Sequence, residues 1–212
     1  MFKRILVPLD GSARAESAIP VAARLARAAG GSVVLIEVAN VHLEYGPYRD
    51  PDTARPITFD RDYEDAATYL TALSKGTHLA GIPTETRVPT GHVAETILAE
   101  ARAEQADVIV ITSHGRTGFA RWVLGSVART VVRQAPIPVL LLREAGSKPV
   151  PSLFEGIGRL RVLVPLDGSP SAETALGPAA ELAHALAGSE GAALHLLRVP
   201  ETPARLVRAG LA

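Results

Sequence analysis

One short segment occurs twice in the chain and limits what the chain can fold into. Residues 5–12 read ILVPLDGS, and residues 162–169 read VLVPLDGS. In both places an apolar, strand-like run passes through Asp-Gly-Ser into a segment with apolar residues at helical spacing. A strand that leads directly into a helix opens a strand-helix-strand crossover, whose two strands are parallel. The chain is therefore predicted to contain the start of the same α/β unit twice.

The first copy continues as a complete pattern of alternating strands and helices. Val33 to Val38 and Val108 to Ile111 are apolar runs typical of strands buried on both faces of a parallel sheet. Val139 to Leu142 is a further apolar strand, and Thr84 to Val88 alternates as a short strand at an edge. The pattern predicts an α/β domain over residues 1–144, with a doubly wound five-stranded parallel sheet and helices on both faces.

Helical spacing fills most of the intervals between these strands. Apolar residues recur with helical period from Ala15 to Ala29, over residues 61–79 and over residues 91–104. A shorter helix begins near Ser126 and is stopped by Pro136. Residues 40–60 carry three prolines and no strong period, which predicts a long loop.

The second copy covers only the first half of that pattern. Residues 145–158 are rich in Gly and Pro without a period and are predicted to be a linker. Ala192 to Val199 is the second strand of the copy, so residues 159–212 are predicted to form a partial β-α-β repeat. Because about 50 residues of this kind bury too little surface to stand alone, we expect the repeat to dock on the first domain or on another chain.

Residues 107–126, DVIVITSHGRTGFARWVLGS, read as a buried strand, a loop with Gly, and a helix start. The loop leaves the carboxyl end of a strand, where open α/β sheets bind their ligands. Gly115 and Gly125 allow the backbone to approach a bound group, and Ser126 can cap the helix or donate a hydroxyl. The N–H groups from Ser126 to Ala128 can hold phosphate. Ordinary turn and cap chemistry is the alternative to this phosphate-site hypothesis.

Asp10 brings a second motif to the same place. If the order of the strands reverses between the first and fourth, Asp10 and Ser113-His114-Gly115 meet at one crevice. Asp10 has an alternative role as a cap of the first helix, and Asp167 repeats it in a unit that has no phosphate loop. His114 is not interpreted as a catalytic base, because no Ser or Cys nucleophile pattern surrounds it.

These motifs resemble the universal stress protein family, in a tandem arrangement whose second copy is incomplete. The ATP-binding members carry a Gly, two residues, a second Gly, nine residues, and then Gly followed by Ser or Thr. The second Gly of this motif matches Gly115, and after nine residues the final pair matches Gly125 and Ser126. Thr112 stands where the first Gly is expected. The sequence therefore matches every element of this specific motif except the first Gly.

The resemblance covers residues 2–144 and, for the repeated half, residues 160–199. It implies a site for an adenine nucleotide. The residues that would flank the adenine and ribose are Pro8, Asp10, Val38, Ile111 and Thr112. Those that would hold the phosphates are Gly115, Gly125, Ser126 and Val127, with Mg²⁺ bridging phosphate oxygens rather than held by the protein.

The implied function is that of an ATP-binding regulatory protein of the stress response, with at most slow hydrolysis, since no evident general base is positioned on a water. Thr112 and the partial repeat leave open a stress protein that binds no nucleotide and acts as a dimerising interaction module. An enzyme of the wider adenine-nucleotide α/β group is a weaker alternative, because PLDGSA is not a Ser-Gly-Gly type pyrophosphate loop. Walker A and G-x-G-x-x-G patterns do not occur in the sequence.

The composition excludes several further classes of protein. Lys and Arg (22) balance Asp and Glu (22), so no net charge attracts nucleic acid or an anionic membrane. No apolar run approaches the roughly 18 residues of a membrane span, which favours a cytoplasmic protein. The zero cysteines exclude disulfides and thiolate metal sites, and the histidines lack metal-site spacing. Val139 to Leu142, as an apolar sheet edge, predicts a homodimer through that edge, as the family resemblance also implies.

Overall fold

A computed structural model describes residues 2–39, 42–44, 55–57, 60–113, 124–143, 159–187 and 191–199. The chain forms two compact units, Met1–Gly156 (unit 1) and Ile157–Ala212 (unit 2). The domain boundaries at residues 144 and 159 stay a prediction. None of the helices in the described ranges combines the length and the apolar character that crossing a membrane requires.

Unit 1 alternates strands and helices in the predicted order. In chain order its strands are β1 (Arg4–Leu9), β2 (Ser32–Glu37), β3 (His42–Glu44), β4 (Arg55–Ile57), β5 (Thr84–Arg87), β6 (Val108–Thr112) and β7 (Val139–Leu142). Its helices are α1 (Ala13–Glu16), α2 (Ala18–Ala29), α3 (Asp60–Ser74), α4 (Val93–Ala103) and α5 (Ser126–Gln134).

Five of the strands form one parallel sheet in the order β5-β2-β1-β6-β7. The predicted fold class is confirmed. The chain winds outward from β1 through β2 to β5 and then crosses to β6 and β7, so the order reverses between β1 and β6. This reversal is the condition under which Asp10 and the segment Ser113-His114-Gly115 were predicted to lie at one crevice. β5 and β7 are the two edges, as predicted.

Helices cover both faces of this sheet. On one face α2 contacts β1, β2 and β6, and α3 contacts β2 and β5. On the other face α4 and α5 pack against a core cluster whose fully or almost fully buried members are Leu6, Val34, Ile36, Ile97, Leu98, Ala101, Ala106, Ile109, Ile111, Ala128 and Val131. Burial on both faces explains why β1, β2 and β6 read as continuous apolar runs rather than as alternating ones.

The predicted first helix is interrupted at Ser17, which separates α1 from α2. The hydroxyl of Ser17 donates to the carbonyl oxygen of Arg14 at 2.6 Å. Serine hydroxyls compete in this way with the backbone bonds of a helix, and the spacing of apolar residues carries no signal of it. The helix predicted over residues 61–79 is also interrupted. α3 ends at Ser74, and a separate 3-10 turn follows at Thr77–Leu79.

The predicted long loop at residues 40–60 contains an antiparallel pair of short strands. His42 pairs with Ile57 and Glu44 with Arg55, which joins β3 to β4. The prediction of a long loop was wrong for these two segments, because three-residue strands are too short to show a period.

Unit 2 has the predicted β-α-β order. It consists of β8 (Leu160–Leu166), α6 (Pro170–Glu173), α7 (Leu176–Ala187) and β9 (Ala192–Arg198). β8 and β9 are parallel and in register over their full length. The helical part is interrupted after α6, as it is after α1, and the hydroxyl of Thr174 donates to the carbonyl oxygen of Ser171 at 2.6 Å.

Candidate functional site

The carboxyl end of the large sheet opens between its two central strands. β1 stays in register with β2 up to its last residue, Leu9. Its register with β6, within the described residues, ends at the pair Leu6 and Ile109. β6 stays in register with β7 up to Thr112, the last residue of β6. The two central strands therefore part over their final residues, which leaves a crevice where the strand order reverses.

Asp10 follows β1 directly and holds the turn that leads into α1. Its Oδ1 accepts hydrogen bonds from the backbone N–H of Ser12 at 3.1 Å and from the Ser12 hydroxyl at 2.6 Å. The Ser12 oxygen then accepts the N–H of Ala15 at 3.1 Å, which caps the helix. Gly11 lies between them with a φ of +76°, a conformation that favours glycine. Ser12 is therefore the N-cap of α1, and Asp10 supports that cap through its hydrogen bonds with Ser12.

Unit 2 repeats this turn with Asp167 and Ser169. The Oδ1 of Asp167 accepts the N–H of Ser169 at 2.8 Å, and the Ser169 oxygen accepts the N–H of Ala172 at 3.1 Å. Hydrogen bonds from the hydroxyl and from the backbone N–H of Ser169 hold the pKa of the Asp167 carboxyl below its usual value. A turn that is built in both units has a structural purpose in each, and a ligand contact of Asp10 stays a prediction.

The opposite wall of the crevice is the start of α5. Gly125 precedes the helix, and its N–H donates to the carbonyl oxygen of Ser113 at 2.9 Å, just after β6. The N–H of Ser113 donates to the carbonyl oxygen of Leu142 at 2.8 Å. These two bonds fix the N-terminus of α5 at the carboxyl end of β6, and Ser126 is exposed there.

The start of α5 carries the features of an anion-binding helix end. Within the described residues no side chain caps it, and its first turn contains no acidic residue. The first N–H groups of a helix have no helical acceptor, and the helix dipole places partial positive charge on them. The backbone from Ser126 to Ala128 can therefore donate to a phosphate.

Apolar side chains lie between these two walls. Val38 follows β2, and it packs with Leu124 and Val127 against the core cluster that contains Ile111. Pro8 and Thr112 are buried strand residues. Such a surface can bury the apolar faces of a nucleobase or sugar next to the polar helix end.

A group of carboxylates borders the crevice on the β2 side, centred on Tyr69 of α3. The Tyr69 hydroxyl donates to Oε1 of Glu16 at 3.1 Å. Burial raises the pKa of Tyr69 well above its usual value, and the negative charges of Glu16, Glu37 and Asp10 raise it further. Tyr69 is thus a neutral hydrogen-bond donor beside these carboxylates.

Sequence reasoning did not single out Tyr69 or Glu37 as residues near the site. Tyr69 lies on a helix far along the chain, where its neighbours Ala66 and Leu70 mark only a buried helix face. Glu37 ends a strand, and an acidic residue at a strand end is a sequence signal that could have pointed to this group of carboxylates.

The structure places eight of the nine predicted site residues at the carboxyl end of the sheet or at the start of α5: Pro8, Asp10, Val38, Ile111, Thr112, Gly125, Ser126 and Val127. Gly115 and His114 lie outside the described residues. Contact of any of these residues with a nucleotide stays a prediction.

The described residues contain no group of three or more histidine and carboxylate side chains arranged to hold a metal ion.

The sequence matches the universal stress protein family over residues 1–143 and 158–211. A universal stress protein of Thermus aquaticus is 33% identical over 146 residues, which cover 68% of this chain and 100% of that protein. The solved structure of a universal stress protein from Archaeoglobus fulgidus superposes on 98% of this chain and 71% of its own, with a TM-score of 0.70 and 24% identity.

A second solved structure is a universal stress protein in complex with cAMP. It superposes on 68% of this chain and 98% of its own, with a TM-score of 0.51 and 23% identity. At this level of identity, the similarity to the two solved structures is one of fold.

Proposed function

The chain belongs to the universal stress protein family, and from this premise we propose that it is an ATP-binding regulatory protein of the stress response with little or no hydrolysis. The observation that carries the proposal is the parting of β1 and β6 at their carboxyl ends beside the start of α5, which no side chain of the described residues caps. An open α/β sheet binds ligands at such a point, and the helix end supplies donors for phosphate.

The charges around the crevice favour one orientation of the nucleotide. The carboxylates of Asp10, Glu16 and Glu37 lie on the β1 and β2 side, near Tyr69. Phosphates would be attracted to the N-terminus of α5. The nucleoside would then lie against Pro8, Asp10 and Val38. This arrangement agrees with the roles that the family resemblance implies for both groups of residues.

The proposed site binds nucleotide without an evident route to fast hydrolysis. No carboxylate or imidazole occurs between Gly125 and Gln134, so this helix offers no general base for a water at the phosphates. Mg²⁺, when bound with ATP, supplies positive charge between phosphate oxygens. Binding would regulate the protein by favouring one conformation or assembly through differential affinity. We also propose that residues 159–212 are a partial second repeat of the domain at residues 1–144, joined by the linker at 145–158.

The sharpest test replaces Ser126 with Asp. An acidic residue in the first turn of a helix stabilises that helix, so Ser126→Asp leaves the fold intact while it repels phosphate. We expect its affinity for MgATP, measured by titration calorimetry on nucleotide-free protein, to fall by about a hundredfold, since a charge is brought within a few ångströms of the phosphates. Ser126→Asn is the neutral control and loses no more than about tenfold, the effect of one hydrogen bond.

The nucleotide content of freshly purified protein provides the second half of this test. ATP or ADP near one per chain supports the proposal. A protein that is purified empty and shows no calorimetric response to MgATP would contradict it. That outcome would favour the alternative of an interaction module that binds no nucleotide.

We propose a homodimer that forms through β7. This strand is an edge of the large sheet, and Val139, Leu140 and Leu141 on it are only half-buried. An apolar strand edge is commonly covered by another strand or subunit. Sedimentation velocity at micromolar concentration should give the mass of two chains, and a monomer there would overturn the proposed dimer.

A further inference from the structure

Tyr69 ties α3 to the short helix α1 beside the candidate site. Its hydroxyl donates to Oε1 of Glu16, the last residue of α1, at 3.1 Å. Because burial raises the pKa of Tyr69 well above its usual value, the hydroxyl keeps its proton and acts as a donor. α3 itself packs against β2 and β5. The tyrosine thus connects α1 to a helix that is already fixed on the sheet.

Glu16 is bonded in turn to the segment that carries Asp10. The N–H of Glu16 donates to the carbonyl oxygen of Ser12 at 3.1 Å, and the Ser12 hydroxyl donates to Oδ1 of Asp10 at 2.6 Å. Hydrogen bonds therefore run from Tyr69 through Glu16 and Ser12 to Asp10, at the carboxyl end of β1. A polar network whose members all have partners favours one fixed arrangement.

Unit 2 builds the same turn without this tie. The repeat that aligns residues 162–169 with residues 5–12 makes Glu173 the counterpart of Glu16. Its N–H also donates to a serine carbonyl oxygen, that of Ser169, at 3.3 Å. Its side chain is exposed and bonds to no other residue that the structure describes. The turn and its short helix therefore form without a tyrosine, so Tyr69 adds a constraint to a turn that is already complete.

The start of α5, where we propose that phosphates bind, is held by other bonds. The N–H of Gly125 donates to the carbonyl oxygen of Ser113, and the N–H of Ser113 donates to that of Leu142. Neither α1 nor α3 takes part in these bonds. A change at Tyr69 is therefore expected to act on the Asp10 side of the crevice and to leave the helix end unchanged.

We propose that Tyr69 is a positioning residue of the nucleotide site. By holding Glu16 it fixes the turn that carries Asp10, and it thereby raises the affinity for the nucleoside part of the ligand but not for the phosphates. A site that is fixed in advance binds more tightly, because less ordering is required on binding. The inference rests on the proposed function, in which Asp10 lies against the nucleoside and α5 binds the phosphates.

Tyr69→Phe removes the hydroxyl and keeps the ring. Titration calorimetry on nucleotide-free protein should show MgATP binding weakened by about tenfold, the effect of one hydrogen bond to a charged group. Binding of inorganic triphosphate with Mg²⁺, which lacks the nucleoside, should change by no more than about twofold. Tyr63→Phe removes an exposed hydroxyl from the same helix and is the matched control. It should leave the binding of both ligands within about twofold.

The acceptor of the bond provides a second set of variants. Glu16→Ala should weaken MgATP binding by the same factor as Tyr69→Phe, and the double variant should lose no more than either single one, because all three remove one bond. Glu16→Gln keeps an oxygen acceptor and should restore most of the affinity that Glu16→Ala loses. Should Tyr69→Phe fail to fold, Glu16→Ala takes its place in each measurement.

Hydrogen exchange tests the positioning step without nucleotide. The N–H of Ala15 donates to the Ser12 hydroxyl oxygen and reports on the turn. Its exchange rate, followed by NMR, should rise several-fold in Tyr69→Phe and stay unchanged in Tyr63→Phe, because only the first variant frees the turn. An exchange rate that does not respond to Tyr69→Phe would overturn the inference.

The binding outcomes separate this inference from the proposed function. If the unaltered protein binds MgATP and Tyr69→Phe binds it as tightly, the inference alone is overturned. Equal weakening of MgATP and triphosphate binding would also overturn it, since that result indicates a general loss of structure. If the unaltered protein binds no MgATP, the proposed function is overturned together with the role of Tyr69 in it, whatever the Ala15 amide shows.

Discussion

The two copies of the VPLDGS segment have the same local structure and opposite surroundings. In both, an aspartate binds the N–H of the serine two residues later, and that serine caps the helix. Leu6 of the first copy is completely buried under α4 and α5, whereas Leu163 of the second is exposed. A turn depends on its own few residues, but burial depends on elements that lie far away along the chain.

The starts of the second strands differ in a related way. Gly30 and Gly191 both have positive φ, 59° and 72°, and each ends a helix-to-strand connection. The next residue is Gly31 in unit 1 and Ala192 in unit 2. A Cβ on Gly31 would lie 2.3 Å from the carbonyl oxygen of Lys3, so in unit 1 the backbones are too close for a side chain. The register pairs Ala192 with Leu160, at the equivalent place in unit 2, where a methyl group is present.

The largest effect should come from truncating the two equivalent leucines. Leu6→Ala should lower the free energy of unfolding of unit 1 by about 2–5 kcal/mol, because it leaves a cavity in a close-packed core. Leu163→Ala should change that of unit 2 by no more than about 0.5 kcal/mol, since this side chain is already largely in water. Native-state hydrogen exchange of the β1 and β8 amides reports on each unit separately. Equal losses of protection in the two strands would show that the second leucine is covered in solution.

A smaller effect is expected at the glycine that approaches β1. Gly31→Ala should destabilise unit 1 by about 1–3 kcal/mol, because its methyl group forces the Lys3 backbone away. The converse change, Ala192→Gly, should cost unit 2 about 0.5–1 kcal/mol through the added freedom of the unfolded chain. Urea denaturation followed by circular dichroism measures both. A Gly31→Ala protein as stable as the original would contradict the close approach of the two backbones.

The smallest expected effect is on the pKa of Asp167, in the Asp-Gly-Ser turn that both units share. The hydrogen bonds from Ser169 lower the pKa of Asp167 in the folded state. A lowered carboxyl pKa contributes stability that is complete above the unfolded pKa and is lost as the pH falls through the folded one. Titration of the Asp167 carboxyl carbon by NMR should give a pKa below the ordinary value. Ser169→Ala should raise it toward that value, and a pKa that does not respond would remove Ser169 as its cause.

Much of the fold could be predicted because its signals are local. The run Val33 to Val38 indicated a strand buried on both faces, and the spacing from Ala15 to Ala29 indicated a helix that ends at Gly30. The structure has the strand within one residue and the helix end at Ala29, but it divides the helix at Ser17. The break at Ser17 and the pair β3–β4 were not predicted, because one hydroxyl bond and two three-residue strands leave no periodic trace.

The candidate site also has residues that local sequence patterns indicate and residues that they do not. Gly125 and Ser126 were predicted as site residues from a Gly-Ser pair before a helical pattern, and Asp10 from its place at the end of a strand. Tyr69 and its bond to Glu16 join residues 53 positions apart, and no local pattern links them. Tyr69 reaches these carboxylates because α3 packs against β2, the strand that Glu37 ends.

The sequence by itself determined the α/β class, the two copies of the strand-turn-helix unit, and the turn chemistry of Asp10 and Asp167. These follow from apolar periodicity and from hydrogen bonds between residues two or three apart. Only the tertiary structure decided that β1 and β6 part at their ends, that Arg4 is paired while Arg161 is exposed, and that Leu6 is buried while Leu163 is not. Such differences between identical residues arise from long-range packing, because burial is a property of the neighbours and not of the residue.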